Sequence, residues 1–466
     1  MESGFIERDY RATQTTFIGQ RAIVVGAGIA GLATAAVLAD WFERVIVLER
    51  DTLPERTEPR IGTPQAWHSH GLLAGGQQAL EELFPDIGED LIREGGVALR
   101  FNRDLREEMP NADPMPQRDF GWTGYAMTRP LIESILRHRV LWRPNVVFRE
   151  RTRALEFIPA RDGGRITAVR CARMGASFDE TLSGDLIVDA SGRGHLTSTL
   201  LRSIRRSPLQ QTSIGIDLGY TTAVMDIPDD MPRDWKVVLT HHNAPHSTRR
   251  AVLLPIEDHR WMMTVSGRGG ERPPAEWAGL MNYLQHLITP TIYNAVKNAK
   301  PIGRLTRFGL ADSVWLHFER VENFPDGLIP VGDAICRFNP IYGQGMSVAA
   351  RQATLLQGLL RARASEQDSM KGLGRDFLAD AKCLIEVPWT MAAIPDFAFS
   401  VTRGDRPTDL DHSLQFGKAL SRIAARDPAV QKLVAEVWHL LRPRSVYQDA
   451  GLVRRVEAEM GQMMAA

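Results

Sequence analysis

The chain has 466 residues, and its 56 basic side chains balance its 56 acidic ones. This balance argues against nucleic acid as a partner, because nucleic-acid binding needs a concentrated positive charge. No apolar run approaches the roughly twenty residues of a membrane-spanning helix, and the length suits roughly two to four domains.

The amino-terminal segment predicts a dinucleotide-binding unit. Residues 22–25 form a short apolar run typical of a buried parallel strand, and a Gly-x-Gly-x-x-Gly pattern from Gly26 to Gly31 follows directly. An alanine-rich stretch with high helix propensity comes next, and a second apolar run ends at Glu49. Strand, glycine turn, helix, strand and acid stand in the order and spacing of a dinucleotide-binding βαβ unit.

Each polar or glycine position in this unit has a predicted task. Gly26 permits a tight turn, Gly28 lets the backbone approach a pyrophosphate, and Gly31 lets the helix pack closely on the strand. The start of the helix offers N–H groups and a partial positive charge to the phosphates. Glu49 is expected to accept hydrogen bonds from the ribose hydroxyls of an adenosine.

Two further segments carry candidate site residues. His68 and His70 precede a helix predicted over residues 75–84. They fit a metal site, a general base or a covalent cofactor attachment, but their position favours hydrogen bonds that fix the loop. Arg129 opens another predicted helix, between a capping Thr128 and a proline. It is either a phosphate clamp or one half of a surface ion pair.

The middle of the chain predicts two kinds of sheet. Strands over 146–157 and 166–174 flank a turn at 162–164, and residues 185–194, which include Arg193 and Gly194, form a second strand-to-glycine turn. Beyond residue 213 the strands lack intervening helices, which favours an antiparallel sheet in a second domain. These predicted strands are 214–227, 236–241, 250–255 and 260–266.

The last third returns to helices around a third motif. Residues 273–299 are predicted to be helical, and a strand then leads into Gly332-Asp333-Ala334, Phe338-Asn339-Pro340 and Gly343-Gln344-Gly345-Met346. A long helix follows through residue 361. Residues 371–466 read as helices broken at Pro388, Pro395 and 404–407.

Together, the three glycine-bearing motifs resemble FAD-dependent monooxygenases of the para-hydroxybenzoate hydroxylase fold, in particular the squalene-epoxidase-like and polyene epoxidase branch. The resemblance implies an α/β protein with a Rossmann-type FAD-binding domain, an inserted antiparallel-sheet substrate domain and a helical carboxyl-terminal region. The expected FAD-binding parts are 20–100, 126–205 and 321–365. Residues 101–125 form an insertion, 206–320 the substrate domain and 366–466 the helical region.

The resemblance also implies roles for single residues. Asp333 would hold the ribityl hydroxyls of FAD, and Pro340 would lie against the flavin ring. The turn from Gly343 to Gly345 would give backbone N–H groups to the pyrimidine edge of the ring, and Arg129 would reach the phosphates. The complete expected cofactor-binding set is Gly26, Gly28, Ile29, Ala30, Gly31, Glu49, Arg50, Arg129, Asp333, Pro340, Gly343, Gly345 and Met346.

Two departures from the family patterns refine the expectation. Aromatic hydroxylases of this fold carry an Asp-Gly pair where this chain has Ala190-Ser191-Gly192, so electrons from NAD(P)H are expected either directly or through a separate reductase. Flavin-dependent halogenases use an early lysine and a Trp-x-Trp-x-Ile-Pro motif. Here the first lysine is Lys236, and Trp389 precedes Ile394-Pro395 at the wrong spacing, which disfavours a halogenase.

The expected function is insertion of one oxygen atom from O2 into a large apolar or aromatic small molecule, by epoxidation or hydroxylation through a flavin C4a-hydroperoxide. One alternative is a flavin reductase or dehydrogenase acting on isoprenoid-like double bonds. Another is a non-catalytic flavoprotein that acts as a redox sensor or carrier. No acid–base pair is evident, and His68, His70 and Tyr220 are weak candidates for a base. Residues that would line the pocket, or pack in the core, are Trp261, Met262, Met263 and Phe308.

The expected location is the cytoplasm. Three widely separated cysteines fit no metal-binding spacing and favour a reducing compartment. The first twenty residues lack the apolar core of a signal peptide.

Overall fold

The computed structural model of the protein describes residues 17–110, 112–192, 195–206, 208–228 and 233–465. Arg193 and Gly194 of the second predicted glycine turn, and most of the amino-terminal lead-in, lie outside these residues. Within the described ranges the strands are β1 (Gly19–Val25), β2 (Phe42–Leu48), β3 (Val97–Arg100), β4 (Leu105–Glu108), β5 (Thr123–Ala126), β6 (Val146–Arg149), β7 (Thr152–Pro159), β8 (Ile166–Arg173), β9 (Glu180–Ser183), β10 (Leu186–Asp189), β11 (Gln211–Asp226), β12 (Val237–Thr240), β13 (Arg250–Ile256), β14 (Arg260–Arg268), β15 (Thr306–Leu316), β16 (Leu328–Pro330) and β17 (Cys336–Arg337).

Helices account for a large part of the remaining described chain. They are α1 (Ile29–Ala39), α2 (Ala74–Leu83), α3 (Ile87–Arg93), α4 (Arg129–Leu141), α5 (His195–Ser203), α6 (Trp277–Gln285), α7 (Thr291–Val296), α8 (Gly345–Arg363), α9 (Leu373–Phe397), α10 (Leu410–Arg426), α11 (Pro428–Trp438) and α12 (Ala450–Ala465). None of these helices is long and apolar enough to cross a membrane.

A five-stranded parallel sheet forms the centre of the first unit. Its strand order is β16-β10-β1-β2-β6, and its central strands are buried apolar runs, as expected of a sheet covered on both faces. The helix α1 packs against β1, β2, α4 and α8. The three strands β16, β10 and β1 are direct neighbours, so the turns that follow their carboxyl ends lie at one edge of the sheet.

A seven-stranded sheet forms the second unit and confirms the predicted antiparallel domain. Its order is β17-β15-β11-β14-β13-β12-β4, and all its pairings are antiparallel except that of β12 with β4. The strand β4 belongs to the predicted insertion 101–125, so that segment completes the edge of the sheet. One face of the sheet packs on α6 and α7 in a cluster that includes Trp261 and Met263.

Three details of the predicted secondary structure are wrong. The strand expected over 146–157 is two strands, because Arg151 adopts a φ of 52° and β6 and β7 pair in different sheets. The helical stretch 273–299 is two short helices. Pro388 and Pro395 lie inside α9 and do not end it. A proline removes only one backbone hydrogen bond at each place, and the buried side chains of α9 hold the helix in position.

Candidate active site

The three glycine-bearing turns meet at the carboxyl edge of the parallel sheet. A Cβ atom placed on Gly26, whose φ is 106°, would lie 2.5 Å from the carbonyl oxygen of Ala190. A Cβ on Gly332, with a φ of 61°, would lie 2.8 Å from the Cβ of Ala30. These close approaches join the first turn to the second and the third turn to the start of α1.

A single large cavity begins at these turns and extends along the seven-stranded sheet. Its volume is about 1270 Å³, above the roughly 300–1,000 Å³ of an ordinary small-molecule site. It has room for a cofactor and a second ligand. All but one of the expected cofactor-binding residues line it: Gly26, Gly28, Ile29, Ala30, Glu49, Arg50, Arg129, Asp333, Pro340, Gly343, Gly345 and Met346.

The exception, Gly31, lies behind the cavity wall. A Cβ on Gly31 would lie 1.9 Å from the carbonyl oxygen of Gly26 and 3.4 Å from the Cβ of Ala190. Only a glycine fits between helix and strand at this position, which agrees with its predicted packing role.

Two arginines flank the start of α1. The ideal Cβ position of Gly28 is 3.7 Å from Nη2 of Arg129 and 3.9 Å from Nη2 of Arg60. The Nε atoms of Arg129 and Arg60 contact the Glu133 carboxylate at 3.0 and 2.6 Å. Both guanidinium groups are therefore buried and held in place. The positive end of α1 and these two cations make this end of the cavity suitable for phosphate groups.

Arg60 was missed by the sequence analysis, because it lies in an irregular loop without a pattern. Burial alone would lower the pKa of its guanidinium, but Glu133 and Glu49 outweigh burial and raise it. Arg129 begins α4 as predicted, and the Oγ1 of Thr128 caps the helix by accepting from the N–H of Leu131. Because the Arg129 side chain is only 11% exposed, it is no surface ion pair.

Glu49 has protein partners that the sequence did not predict. Its Oε2 accepts a hydrogen bond from the N–H of Ala27 at 2.8 Å and contacts Nη1 of Arg60 at 2.9 Å. Its Oε1 accepts from the N–H of Asp51 at 3.0 Å. The carboxylate therefore holds the first glycine turn against the end of β2, while its contact with a ribose stays a prediction.

The third motif forms the floor of the cavity near the start of α8. Asp333 lines the cavity, where its side chain is exposed to solvent and surrounded by protein atoms. Burial raises the pKa of Asp333, against the opposing charges of Arg129 and Arg337. Oδ1 of Asp333 lies 3.9 Å from the ideal Cβ position of Gly345, which brings the carboxyl to the amino end of α8.

The side-chain amide of Gln344 forms no hydrogen bond with the described residues. Its side chain is buried and lines the cavity, and neither its Oε1 nor its Nε2 atom finds a hydrogen-bond partner among the described residues. Buried amide groups are normally satisfied. Beside it, Gly343 adopts a φ of 69° and its ideal Cβ position lies 3.6 Å from the Cα of Gly71.

A buried ionic cluster fixes the loop that contains Pro340. The carboxylate of Asp396, on α9, forms an ion pair with Arg268. It also accepts hydrogen bonds from Nδ2 of Asn339 at 3.0 Å and from the hydroxyl of Tyr342 at 2.9 Å. This cluster connects the third motif with the seven-stranded sheet and the helical region.

The other wall of the cavity is the second face of the seven-stranded sheet. Phe308, Tyr220, Ser266 and Arg250 are register partners on the adjacent strands β15, β11, β14 and β13, and all four line the cavity. Further along, apolar residues of the same sheet, of β3 and of α11 also line the cavity: Leu99, Leu105, Val237, Leu239, Val252, Leu254, Val434 and Trp438. The polar side chains of Glu107, Thr264, Gln431 and His439 line it together with them.

Only one of the four expected wall residues takes that place. Phe308 lines the cavity, whereas Trp261 and Met263 point to the opposite face, into the core with α6 and α7. Side chains alternate between the faces of a strand, so Trp261 and Met263 share one face and Met262 has the other. Met262 packs there in a small apolar cluster with Leu254.

The three candidate bases all line the cavity, but none has the properties of a base at neutral pH. Burial lowers the pKa of His68 to about 4 and that of His70 to about 3. Burial also raises the pKa of the Tyr220 hydroxyl well above its ordinary value. The histidines form hydrogen bonds that hold their loop: Nδ1 of His68 contacts Oγ1 of Thr222, on β11, at 2.7 Å, and Nδ1 of His70 contacts the carbonyl oxygen of His68 at 2.8 Å.

Comparison with known proteins identifies the fold first. The chain superposes with a TM-score of 0.64 on the flavin-dependent brominase Bmp2, at 13% identity, over 90% of this chain and 92% of that one. It superposes with a TM-score of 0.59 on PqsL, a probable FAD-dependent monooxygenase from Pseudomonas aeruginosa, at 17% identity, over 81% of this chain and 97% of that one. The expected fold class is confirmed: the architecture is that of FAD-dependent monooxygenases and halogenases.

Sequence relatives then identify the family. The chain is 34% identical over 395 residues to Protein Rv3254 of Mycobacterium tuberculosis, which covers 81% of this chain and 80% of that protein, and it belongs to the same family. It is 25% identical over 356 residues to squalene epoxidase erg1 of Aspergillus fumigatus, over 72% of this chain and 66% of that protein, in agreement with the expected branch. No protein-family model matches the chain.

Proposed function

We propose that this protein is an FAD-dependent monooxygenase that inserts one oxygen atom into a large, mostly apolar or aromatic small molecule. The observation that carries the proposal is the continuous cavity. One end has the glycine turns and buried cations that suit a dinucleotide, and the other end runs along a sheet whose cavity side includes many apolar side chains. A cofactor bound at the first end would have its reactive ring beside a substrate at the second.

The residues fit FAD in chemical character. The ideal Cβ position of Gly28 lies 3.7 and 3.9 Å from two guanidinium nitrogens, so a phosphate that approaches the Gly28 backbone would meet both cations. Asp333 would accept hydrogen bonds from the ribityl hydroxyls. The unpaired amide of Gln344 and the backbone N–H groups at the start of α8 would meet the polar edge of the flavin ring. When bound, FAD would supply the activation of O2 and the transfer of one oxygen atom.

The protein itself would then orient the substrate and exclude water. The apolar side chains of the sheet would hold the carbon skeleton next to the ring, and the cluster around Asp396 would fix the loop on which the ring rests. A protein base is not part of this proposal, because His68 and His70 have low pKa values. Epoxidation of an electron-rich double bond needs no base.

Halogenases share the fold, but one feature of this chain favours oxygen transfer. Among the residues that the structure describes, no lysine lines the cavity, whereas the halogenase pattern includes one. The electrons would come from NAD(P)H, either directly or through a reductase.

Isotope labelling tests the proposal. The FAD-loaded protein is reduced chemically and exposed to ¹⁸O2 with a panel of alkenes, polyenes and aromatics, with and without chloride and bromide. We expect at least one product with a single ¹⁸O atom. Product formation under argon would favour the reductase alternative, and a halogenated product would favour the halogenase. In a separate assay, oxidation of NADPH by the FAD-loaded protein without an added reductase would show that electrons pass directly from NADPH to the flavin.

A further inference from the structure

The cavity contains a buried cation that the proposed cofactor and the apolar wall leave unexplained. Arg250, on β13, is only 5% exposed, and it lines the cavity. No carboxylate of the described chain lies within ion-pair distance, and its Nη1 atom has no hydrogen-bond partner there. Burial lowers the pKa of this guanidinium. A cation kept in this state weakens the fold unless something binds it.

The nearby carboxylates already have other partners. Glu107 is bonded to Nε2 of His241 at 2.8 Å, and Asp396 is paired with Arg268 and bonded to Asn339. Arg250 thus differs from every other deeply buried arginine that lines the cavity, since Arg60 and Arg129 share Glu133.

A second unpaired polar group faces the same place. The hydroxyl of Tyr220 is buried without a hydrogen-bond partner in the described structure, and Tyr220 also lines the cavity. Both Tyr220 and Arg250 are register partners of Ser266, so they stand in one row across three adjacent strands. Side chains of register partners lie on the same face of a sheet. A cation and a hydroxyl donor therefore converge on one region.

This region adjoins the loop of the third motif. The Cζ atom of Arg250 lies 5.5 Å from the centre of the Tyr342 ring, and Tyr342 stands between Pro340 and Gly343. Along β13 the next two residues on the same face are Val252 and Leu254, both lining the cavity. Val252 and Leu254 therefore offer an apolar strip along β13 beside Arg250, while Thr264 and Glu107, in the same row as Val252, add polar groups to the cavity wall.

We infer that Arg250 and Tyr220 form a subsite for an acidic oxygen of the substrate, such as a carboxylate, phenolate or enolate. The substrate is then amphipathic, with its acidic group near the proposed ring position and its carbon skeleton along Val252 and Leu254. A guanidinium suits such a group because it offers paired N–H donors. This inference rests on the proposed function in one respect: it takes the molecule bound beside the sheet to be the substrate.

Matched pairs of aromatic probes test the subsite. Binding of 2-naphthoate is compared with that of 2-naphthamide, and binding of 2-naphthol with that of 2-methoxynaphthalene, by ligand fluorescence and thermal shift on FAD-loaded protein. We expect the wild type to prefer the acidic member of at least one pair by roughly tenfold to a hundredfold. The pair that responds distinguishes a carboxylate from a phenolate or enolate.

Variants assign this preference to the two residues. Arg250→Gln is expected to abolish the preference and leave the neutral probe within about twofold of wild type, while Arg250→Lys keeps part of the preference. Tyr220→Phe reduces it. The control is Arg260→Gln, on the neighbouring β14, where the arginine pairs with Asp258 and does not line the cavity; it should behave as wild type.

Two results would overturn the inference. One is equal binding of both members in both pairs by the wild type. The other is an equal loss of acidic and neutral probes in Arg250→Gln. The visible absorbance of bound flavin is recorded for each variant. If the protein takes up no FAD, the proposed function fails, and the same comparison on the cofactor-free chain still decides the role of Arg250.

Discussion

Buried arginines are paired with a carboxylate at one end of the cavity and unpaired at the other. At the start of α1, Arg60 and Arg129 are buried but share the carboxylate of Glu133, so the positive charge is fixed before any ligand arrives. On the sheet wall, Nη1 of Arg250 and the hydroxyl of Tyr220 are also buried, but neither has a hydrogen-bond partner within the described chain. A paired buried charge stabilises one geometry of the fold. An unpaired buried donor can still form a hydrogen bond with a ligand, which would relieve the cost of its burial.

The largest predicted effect comes from breaking a paired cation. Arg268, on β14, is as buried as Arg250 but forms an ion pair with Asp396. Arg268→Met would leave that carboxylate buried with only neutral donors, which costs about 3–5 kcal/mol of unfolding free energy. Urea unfolding measures this loss. A change below about 1 kcal/mol would show that the pair contributes little.

Acidification acts on the buried histidines. Burial lowers the pKa of His68 and of His439 to about 4, while an unfolded histidine has a pKa of about 6.5. Between these values the unfolded chain binds more protons, so stability falls as the pH falls. Each group accounts for roughly 3 kcal/mol. Denaturation midpoints between pH 7 and 4 measure the effect, which should be smaller in His439→Phe; an unchanged slope in that variant would contradict the assignment.

Close packing at the first turn gives a smaller effect. Gly31→Ala places a methyl group against the carbonyl oxygen of Gly26, and such overpacking costs about 1–3 kcal/mol. The control is Gly358→Ala in α8, where a Cβ meets no described atom within 4 Å. That helical substitution should stabilise the protein by about 0.5–1 kcal/mol. Equal thermal midpoints for the two variants would contradict the packing account.

The smallest predicted change in unfolding free energy is that of replacing the unpaired cation, Arg250. Arg250→Met removes a buried cation without leaving a carboxylate behind, so the free energy of unfolding should change by less than about 0.5 kcal/mol or should increase. Urea unfolding beside Arg268→Met makes the contrast direct. A loss similar to that of Arg268→Met would mean that Arg250 is a structural cation.

The strand, glycine turn and helix at the α1 end of the cavity were predictable from sequence because the pattern that defines them is local. A strand, Gly26, Gly28, Gly31 and Glu49 all lie within one short segment of the sequence. The sheet wall was not predictable in this way, because Tyr220, Ser266 and Arg250 meet only through strand register. One signal was present in the sequence: Arg250 begins an otherwise apolar strand, and a charged residue at such a position indicates a functional or structural role. Arg60 gave no local signal at all.

In the helical region, local sequence rules predicted helix ends that the structure does not have. Pro388 and Pro395 predict helix breaks, yet α9 continues through both. Tertiary packing accounts for this outcome, since α9 has buried residues on both sides of Pro388, including Ile385 before it and Ala393 and Phe397 after it. Propensity is a weak guide where a helix buries that much apolar surface.

Titration of the purified protein with FAD measures whether the glycine turns bind this cofactor. The wild type should bind one FAD per chain and show the visible absorbance of a bound flavin. Gly28→Val adds a side chain where the ideal Cβ meets no atom closer than 3.7 Å, so it should fold normally but bind FAD roughly a hundredfold more weakly. A wild-type protein that takes up no FAD, or a Gly28→Val variant that binds it equally well, would contradict the account.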